Sequence, residues 1–470
     1  MKMRILAVAA AAAVSANIAL AQSFPDPLLT LPVTAESIAK AKELDAYALG
    51  VSAYLWGYPL VRMERIVREY IDVKGPQPGT SYRAPLNRIG WATELATPSA
   101  KDMPAANNDT LYMSAVVTLT EPYVLSVPDT DGRYYVVNVF TMYHEDEQDI
   151  GRRVTGTKAG RFAIVPPGWK GKLPEGVQRI DVSTDKVWLW GRLHIRDGEP
   201  SGPVRALQAK FDLRPLGQLE NATYAAQPAE LPPLPDIAGD DLGFFTHLGF
   251  AMRHNPILPR DAALAGQLER IGLTRNGFDR TKLSPEQVAA LKRALADGAV
   301  VASAAVSTTA KKVGSWDSTI IDGYGFNYPL RAVHSGPYLG GNMAQEAYYP
   351  STYLDSQGEP LTGANKYELR FAKAPPVDAF WSATLYNADD KMLVDNPINR
   401  YKVGSETPGL KTNPDGSISV PIQHDEPAGA GKSNWLPASK GNFFLVLRFY
   451  QPRKELLSGA YPLPTLTKTQ

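Results

Sequence analysis

The chain has 470 residues, which is more than one ordinary hydrophobic core holds, so two domains of roughly 150–200 residues each are expected. Lys and Arg together number 49 against 48 Asp and Glu, and the formal net charge is +1. A nearly neutral chain lacks the clustered positive charge that binding to nucleic acid or an anionic membrane requires. The absence of cysteine excludes disulfides, thiol catalysis and thiolate metal sites.

The first residues have the pattern of a secretory signal peptide. Lys2 and Arg4 form a short positive region, and residues 5–14 are apolar and rich in alanine. Ala19-Leu20-Ala21 then matches the small-x-small cleavage pattern, so the mature chain is expected to begin near Gln22. The apolar run is too short to span a bilayer. We therefore expect a soluble product that is periplasmic or secreted, with no membrane insertion.

Residues 35–70 have apolar positions spaced by three and four, which predicts helix. Thr34 is the expected N-cap, with Ser37 in the first turn. Proline removes a backbone donor and disfavours helix in the residue before it. Gly57 to Pro59 should therefore divide this segment into two helices that meet near Gly57.

From Asn107 the apolar period changes to two, and short runs rich in β-branched and aromatic residues follow, separated by turn residues. These runs are TLYMSAVVTLT, YVLSVPD, RYYVVNVFTMY, RFAIVPPGW, QRIDVS and KVWLWGRLHI. In the last run, Val187 and Leu189 alternate with Trp188 and Trp190, so both faces of that strand are apolar. This pattern is typical of a strand that lies between two packed layers.

The middle of the chain differs from the strand-rich regions. A proline-rich connector, Pro228 to Asp236, precedes two predicted helices, Arg260 to Ile271 and Ser284 to Ser307. Ser284 is the expected cap of the second helix, with proline at its first position. Residues 328–347 are predicted to be helical in part, and strands return from Glu346 to Tyr450.

These patterns predict a mainly β protein with helical segments, in which two β-sandwich domains of jelly-roll-like form are joined and flanked by helices. The expected organisation is a signal peptide at 1–21, a helical segment with the first sandwich at 22–225, a connector and helical region at 226–345, and the second sandwich at 346–470.

Several ordered motifs resemble a known pair of bacterial domains. NNDTLYMSA, VLSVPDTDGRYYVVNVF, PPGWKGKLPEGV and VWLWGRLHI resemble domain of unknown function 1254. YYPSTYLDSQGEPLTGANKYELRF, PPVDAFWSATLYN, VDNPINRYKVG, NPDGSISVPIQHDEP and SNWLPA resemble domain of unknown function 1214. The resemblance covers most of Tyr54 to Arg196 and Glu346 to Tyr450. It implies two sandwich-like domains with helical connections, often in oligomers, and it implies no settled reaction.

The motif at the mouth of the first long strand is the leading candidate site. Asn108, Asp109, Thr110 and Tyr112 match the Asn-x-Asp-Thr-Leu-Tyr pattern of the resembled family. In one interpretation, Asx side chains bond to nearby backbone and only shape a turn. In the other, Asp109 is a proton-transfer residue, and Asn108 and Tyr112 bind a ligand, because loops on a rigid sheet are where sites concentrate.

Further candidates lie in the second strand-rich region. Trp381 is expected in the core, whereas Tyr386, near the end of its strand, could present its hydroxyl to a ligand. Asn434 and Trp435 stand in a loop before the last strand and are candidate ligand-binding residues. His424 is a candidate acid or base, although a surface histidine often has no such role.

The segment YHEDEQD, Tyr143 to Asp149, is dense in acidic residues but lacks the spacing and the glycine of a calcium loop. We expect a solvated acidic loop there. His247 and His254 have no accompanying carboxylates in a metal-ligand pattern. The sequence therefore predicts neither a metal nor a cofactor, and it lacks the motifs of serine hydrolases, phosphate-binding loops and zinc proteases.

Two interpretations of function remain open. The first is an exported enzyme, a hydrolase or lyase of a small organic or carbohydrate-like substrate, in which Asp109 or His424 transfers protons. The second is a non-catalytic envelope protein that binds a carbohydrate or other small ligand through the same aromatic residues. Self-association into a homo-oligomer is expected in both.

Overall fold

The computed structural model describes residues 31–77 and 79–470, so the expected signal peptide and its cleavage site lie outside the described residues. Helix accounts for 27% and strand for 25%, and most strands lie in two sheet-rich domains. The described residues form no closed barrel, and their strand orders do not establish a jelly roll. None of the helices in the described ranges is long and apolar enough to cross a membrane.

The helices lie before the first sheet domain, within it, between the two domains and near the C-terminus. The α-helices are α1 (Ala35–Ile71), α2 (Ser201–Gln208), α3 (Gly243–His254), α4 (Ala262–Leu268), α5 (Pro285–Thr309), α6 (Tyr328–His334) and α7 (Lys454–Leu457). Short 3-10 turns occur at Leu216–Gln218, Pro259–Asp261, Glu269–Ile271, Arg280–Lys282 and Gly429–Asn434. Helix α5 begins as expected, because Ser284 and Gln287 form a reciprocal capping box.

Helix α1 is continuous, so the expectation of two helices meeting near Gly57 was wrong. The N-cap at Thr34 is confirmed, and the helix then runs through Pro59. One face of it is buried along more than half of its length, and this packing stabilises the helix despite the missing proline donor. Gly57 contributes to the packing, because a Cβ there would lie 2.5 Å from the Leu248 side chain of α3.

The first domain is a sandwich of two sheets. Its strands are β1 (Gly90–Trp91), β2 (Thr110–Thr118), β3 (Tyr123–Val127), β4 (Tyr135–Thr141), β5 (Asp146–Gly151), β6 (Gly160–Val165), β7 (Val177–Asp181), β8 (Lys186–His194) and β9 (Asp212–Pro215). One sheet has the order β1-β2-β8-β4-β5 and the other β7-β6-β3-β9. All pairs are antiparallel except β6 with β7.

Strand β8 is buried on both faces, as its alternating apolar residues predicted. Val187 and Leu189 point into the core between the two sheets. Trp188 and Trp190 belong to a second core, formed between the five-stranded sheet and the helices α1 and α3. The five-stranded sheet is therefore the middle layer of this half of the molecule.

The second domain is also a sandwich. A small hairpin, β10 (Leu273–Thr274) and β11 (Gly277–Phe278), comes before it. The strands of the second sandwich are β12 (Lys311–Val313), β13 (Trp316–Ser318), β14 (Ala347–Tyr348), β15 (Ser351–Thr352), β16 (Tyr367–Phe371), β17 (Trp381–Asn387), β18 (Lys402–Gly404), β19 (Ile418–Gln423), β20 (Leu436–Pro437), β21 (Phe443–Tyr450) and β22 (Thr465–Lys468). The larger sheet has the order β12-β13-β15-β21-β17-β18, with β14 also paired to β21, and the smaller sheet is β20-β19-β16-β22.

The larger sheet of the second sandwich has one face in its own core and the other towards the first sandwich. Trp381, in β17, lies in the second-sandwich core as predicted. On the opposite face, Phe380 and Tyr450 pack with Tyr134 and Val136 of the first sandwich. The two sandwiches are therefore joined by an apolar contact as well as by the chain between them.

The acidic segment is not the solvated loop that its composition suggested. Its second half is strand β5, and Asp149 is buried. Asn138 Nδ2 donates to both Asp146 and Asp149 at 2.8 Å. Glu145 accepts a hydrogen bond at 2.6 Å from Arg331, a fully buried residue of α6. Ion pairing and amide donors allow these carboxyl groups to be buried, which composition alone does not reveal.

Candidate functional site

A cavity of about 250 Å³ lies between the two sandwiches and is closed on one side by the segment around α6. Both sandwiches and the intervening helical region contribute side chains to it. Its lining is mainly apolar with several polar groups: Met103, Pro104, Ala105, Asn107, Tyr112, Arg192, Val306, Asp317, Thr319, Ile321, His334, Pro337, Tyr338, Leu339, Gly341, Asn342, Ala344, Ala347, Tyr349, Ser351, Tyr353, Lys391, Phe444, Val446 and Arg448.

The first sandwich contributes an aromatic and cationic wall. Tyr112 stacks on Trp190, with ring centroids 4.7 Å apart. The Arg192 guanidinium lies 5.7 Å from both ring centroids. The Tyr112 hydroxyl accepts hydrogen bonds from the backbone N–H and the side-chain amide of Asn107, at 3.0 and 2.7 Å. Tyr112 is therefore held in one orientation at the cavity wall.

Arg192 is fixed by neutral acceptors. Its Nη1 donates to Asn138 Oδ1 at 2.8 Å and to Asn342 Oδ1 at 2.9 Å, and its Nη2 donates to Gly340 O at 2.6 Å. Asn138 in turn bridges to the Asp146 and Asp149 carboxyl groups behind it. Burial, and then the nearby Asp149 carboxylate, raise the pKa of Asp146 well above its usual range.

The second sandwich contributes the facing wall. Tyr353 stacks on Phe444 at 4.7 Å, and Phe444 stacks on Tyr386 at 5.2 Å. The Lys391 ammonium lies 4.9 Å from the Tyr353 ring centroid and 5.3 Å from that of Phe444. Lys391 Nζ also donates to Ala388 O. A cation is thereby held against an aromatic surface at the edge of the cavity.

Two residues at the cavity have a backbone conformation that L residues rarely adopt. Ala105 has φ +50° and Lys391 has φ +63°. Ala105 N donates to Lys391 O at 2.8 Å, and Arg448 Nη2 donates to Ala105 O at 2.8 Å. Such conformations are costly and persist where the surroundings enforce them, often at functional sites. The strained pair joins the two sandwiches at the cavity.

His334, at the end of α6, is a site residue that sequence reasoning missed. It lines the cavity and contacts the rings of Tyr324 and Tyr338. Its ring nitrogens have no hydrogen-bond partner among the side chains and backbone that the structure describes. Burial lowers the pKa of His334 to about 4, so the imidazole is neutral near pH 7. Its segment offered no motif that would have singled it out.

The cavity opens to solvent near tyrosines. Tyr338 is 45% exposed and Tyr353 is 40% exposed, whereas Tyr112 and Arg448, on the inner walls, are buried. The exposed tyrosines and the half-buried Lys391 therefore form the mouth of the cavity, and the arginines lie deeper.

The residues of the Asn-Asn-Asp-Thr motif have different roles, and only some of them shape a turn. Asn107 Oδ1 accepts from the backbone N–H groups of Asp109 and Thr110, at 2.9 and 2.8 Å, so Asn107 forms the turn. Asp109 precedes β2, as required for its carboxylate to turn inward. That carboxylate accepts from Lys402 Nζ at 2.7 Å and from Ser382 Oγ at 2.8 Å, both of the second sandwich.

Asp109 lies behind the cavity wall and outside the lining. Burial alone would raise its pKa, but the Lys402 ammonium and the Arg448 guanidinium outweigh burial, and the pKa of Asp109 lies below its usual range. The Tyr450 hydroxyl is a further, longer donor at 3.3 Å. An ionised, buried and fully paired carboxylate is suited to join the sandwiches, and it is poorly suited to accept a proton.

The remaining sequence candidates are divided between this region and the far side of the second sandwich. Tyr386 lies beneath Phe444, and its hydroxyl donates to Ala106 O at 2.6 Å. Asn108 Nδ2 donates to Ala96 O at 2.6 Å, and Asn108 does not line the cavity. These two residues therefore support the cavity from behind.

Asn434, Trp435 and His424 do not converge on the cavity. Asn434 Nδ2 donates to the carbonyls of Lys411 and Ser419, at 2.8 and 2.9 Å, and Trp435 Nε1 donates to Gln423 O at 2.9 Å. His424 contacts Ala438 O through Nδ1 at 3.1 Å. Trp435 is buried despite its loop position.

No group of three or more His, Asp or Glu side chains in the described ranges is placed to hold a metal ion. The acidic segment is likewise occupied by protein partners, with Asp149 paired to Arg153 at 2.6 Å and Glu145 paired to Arg331 at 2.6 Å. The polar groups that line the cavity are arginine, lysine, histidine, amide, phenol and hydroxyl groups and one carboxylate, that of Asp317.

Comparison with known proteins identifies both strand-rich regions. The family profile described as "Protein of unknown function (DUF1254)" matches residues 86–215, and "Protein of unknown function (DUF1214)" matches residues 346–454. No curated protein matches the chain.

Two solved structures are similar. The VPA0106 protein from Vibrio parahaemolyticus has a TM-score of 0.69 and 24% identity, over 90% of this chain and 100% of that chain, and it shows a shared fold. An uncharacterised protein from Burkholderia cenocepacia has a TM-score of 0.43 and 15% identity, over 92% of this chain and 96% of that chain. With both family regions present in that order, the chain belongs to the proteins in which a DUF1254 region is followed by a DUF1214 region.

Proposed function

We propose that this protein binds a small organic molecule in the cavity between its two sandwiches. The observation that carries the proposal is the cavity itself: a mainly apolar space between the sandwiches, on which polar side chains of both converge. Small-molecule sites have this composition, with few polar groups that fix the orientation of the ligand. A cavity of about 250 Å³ favours a small ligand over a polymer.

Binding is better supported than catalysis by the residues first suspected. Asp109 is ion-paired behind the wall, and His424 lies away from the cavity. The second candidate function, turnover of the bound molecule by a hydrolase or lyase, is favoured by one observation: His334 is neutral near pH 7 and lines the cavity. A neutral imidazole in contact with a bound molecule can accept a proton.

Thermal denaturation of the purified protein with a panel of small organic compounds tests ligand binding. A compound that binds only the folded state raises the melting temperature. In the variant Leu339→Trp, the larger side chain fills part of the cavity, and the rise should disappear. Leu207→Trp is the matched control, because Leu207 is also partly buried but packs against the first-sandwich core. Equal responses in both variants would contradict binding in this cavity.

Turnover is tested separately with any compound found to bind. Incubation followed by mass spectrometry of the compound should show product for an enzyme and unchanged compound for a binding protein. Loss of product in His334→Gln, with binding retained, would identify His334 as the proton acceptor. Unchanged turnover in that variant would exclude this role.

We also propose that the protein is exported to the periplasm or secreted. The support is the charged start, apolar run and Ala19-Leu20-Ala21 of the sequence. Mass spectrometry of protein recovered from the periplasmic and culture fractions should find an N-terminus near Gln22. An N-terminus at Met1 in that material would contradict the proposal.

Self-association is the last part of the proposal. Its support is the resemblance to a family that often forms oligomers, together with exposed apolar side chains in the helical region. Val300, in α5, is 65% exposed, and Phe326, before α6, is 69% exposed. Light scattering should give a multiple of the protomer mass, and a monomer mass would contradict it.

A further inference from the structure

We infer that the ligand of the cavity is a small organic anion, a carboxylate attached to an apolar body; this inference rests on the proposed function. Three cationic side chains line the cavity: Arg192, Lys391 and Arg448. The sole carboxylate among the described lining residues is Asp317, and it pairs with Lys312 at 2.5 Å. The lining therefore carries an excess of positive charge.

The three cations have no direct carboxylate partner. No Asp or Glu oxygen of the described residues lies within 4.0 Å of the charged nitrogens of Arg192, Lys391 or Arg448, whereas several exposed lysines and arginines have a carboxylate within that distance. Arg192 and Arg448 are bonded to neutral oxygens. The Asp109 carboxylate near Arg448 is itself paired with Lys402 and compensates the guanidinium only in part, so an anion bound in the cavity would be favoured.

Lys391 is the cation that an incoming ligand reaches first. It is half-buried beside Tyr353, which is 40% exposed at the mouth, whereas Arg448 is 5% exposed. Its φ of +63° and the hydrogen bond from Ala105 to its carbonyl fix the backbone from which the ammonium projects. Tyr353 and Phe444 hold the ammonium by cation–π contact, which leaves it able to bind a carboxylate.

The rest of the ligand is apolar. The apolar part of the lining includes Val306, Ile321, Leu339 and Val446, together with the ring of Phe444. A phosphate or a sugar would leave hydroxyl or phosphoryl oxygens against these side chains, where they would lack hydrogen-bond partners. A monocarboxylate with an aliphatic or aromatic body satisfies both parts of the lining.

Calorimetric titration of the full-length protein with matched acid and amide probes tests this inference. The probes are benzoate with benzamide and hexanoate with hexanamide, which differ in charge but little in shape. We expect at least one acid to bind at least ten times more tightly than its amide. Added salt should weaken the binding of the acid but not that of the amide. Equal binding of acid and amide would overturn the anion inference while leaving the proposed function intact.

Variants of Lys391 test whether its ammonium contacts the carboxylate of the bound acid. Lys391→Asn removes the ammonium but keeps a residue that tolerates positive φ, so folding should be retained, as thermal melting would verify. We expect this variant to lose most of the preference for acid over amide. Lys391→Arg should keep the preference, and Lys366→Asn, at an exposed lysine of the second sandwich, should be unchanged.

Three outcomes would overturn the inference. The first is an unchanged acid preference in Lys391→Asn, and the second is equal loss in Lys391→Arg and Lys391→Asn. The third combines two results: neither the acids nor the amides bind to the unmodified protein, and Leu339→Trp leaves the response to every compound of the wider panel unchanged. This third outcome would overturn the proposed function as well.

Discussion

Lys402 Nζ donates a hydrogen bond of 2.7 Å to Asp109 Oδ1, across the boundary between the two sandwiches. Lys402 is in β18 of the second sandwich, and Asp109 precedes β2 of the first. Both are nearly inaccessible to solvent, and Lys402 also contacts Asp197 at 3.0 Å. The contact therefore joins two regions that are almost three hundred residues apart in the sequence.

Asp109→Asn should destabilise the protein. The variant keeps the shape of the side chain but leaves Lys402 with Asp197 as its one remaining carboxylate. Breaking a buried ion pair from one side costs roughly 3–5 kcal/mol, and the remaining Asp197 contact should reduce this cost to about half. Denaturant unfolding measures it. The double variant Asp109→Asn, Lys402→Met should recover part of the loss, and a single variant as stable as the parent would contradict the assignment.

Asp146→Asn and Asp149→Asn should differ in stability, although the two residues share an Asn138 amide. Burial and then Asp149 raise the pKa of Asp146 well above its usual range, which favours the neutral acid, so replacement by a neutral amide should change little. We expect a cost below about 1 kcal/mol. Asp149 pairs with Arg153, and its replacement should cost roughly 2 kcal/mol or more. Chemical denaturation of both variants gives the comparison, and the reverse order would contradict the raised pKa of Asp146.

The free energy of unfolding should fall in mild acid because of the low pKa of His334. Its pKa is about 4 in the folded protein against a usual 6.5, so between these values the unfolded chain binds more protons. Stability from this group is complete above pH 6.5 and is lost as the pH falls towards 4, by about 1.4 kcal/mol per pH unit. Unfolding free energies at pH 7 and pH 5 measure the slope.

His334→Gln should show a shallower loss of stability over that pH interval than the parent protein. His424→Gln is the control, because His424 lies at the surface of the second sandwich and has a half-exposed side chain. Identical slopes in the His334 variant and the parent would show that this imidazole is not kept neutral by burial.

Gly340→Ala should disturb the wall of the cavity. Gly340 has φ +68°, and a Cβ there would lie 2.7 Å from Trp190 Nε1. The strain of the backbone and the contact with a fully buried ring should together cost about 1–3 kcal/mol. Gly441→Ala is the control, since its Cβ would meet nothing within 4 Å. Thermal melting compares the two, and equal stability would argue against this packing.

The sandwiches and most helices could be predicted from sequence because their signals are local. The caps at Thr34 and Ser284 and the two apolar faces of β8 depend on neighbouring residues in the chain. The continuity of α1 through Pro59 could not be predicted, because it depends on packing against helices more than a hundred residues away. The burial of Asp149 likewise depends on distant arginine and amide partners.

The site was predictable only in part for the same reason. Tyr112, a candidate ligand-binding residue, lines the cavity, whereas Asp109 is part of the contact between the sandwiches. Arg192 lies in the motif VWLWGRLHI, which did not single it out, whereas His334 and Lys391 lie in none of the quoted motifs. The three residues meet at the cavity only when the two sandwiches are assembled. Their roles become visible from tertiary structure alone.

The Asp109–Lys402 contact also bears on how the two family regions could be separated or exchanged. A fragment holding the first sandwich alone would expose the Asp109 carboxylate and the apolar surface around Tyr134, and the complementary fragment would expose Lys402 and Phe380. Neither fragment would be a complete folding unit. A chimaera that took one half from a relative would need a matching charge and a matching ring on the other half, so the two regions are expected to be inherited as a single unit.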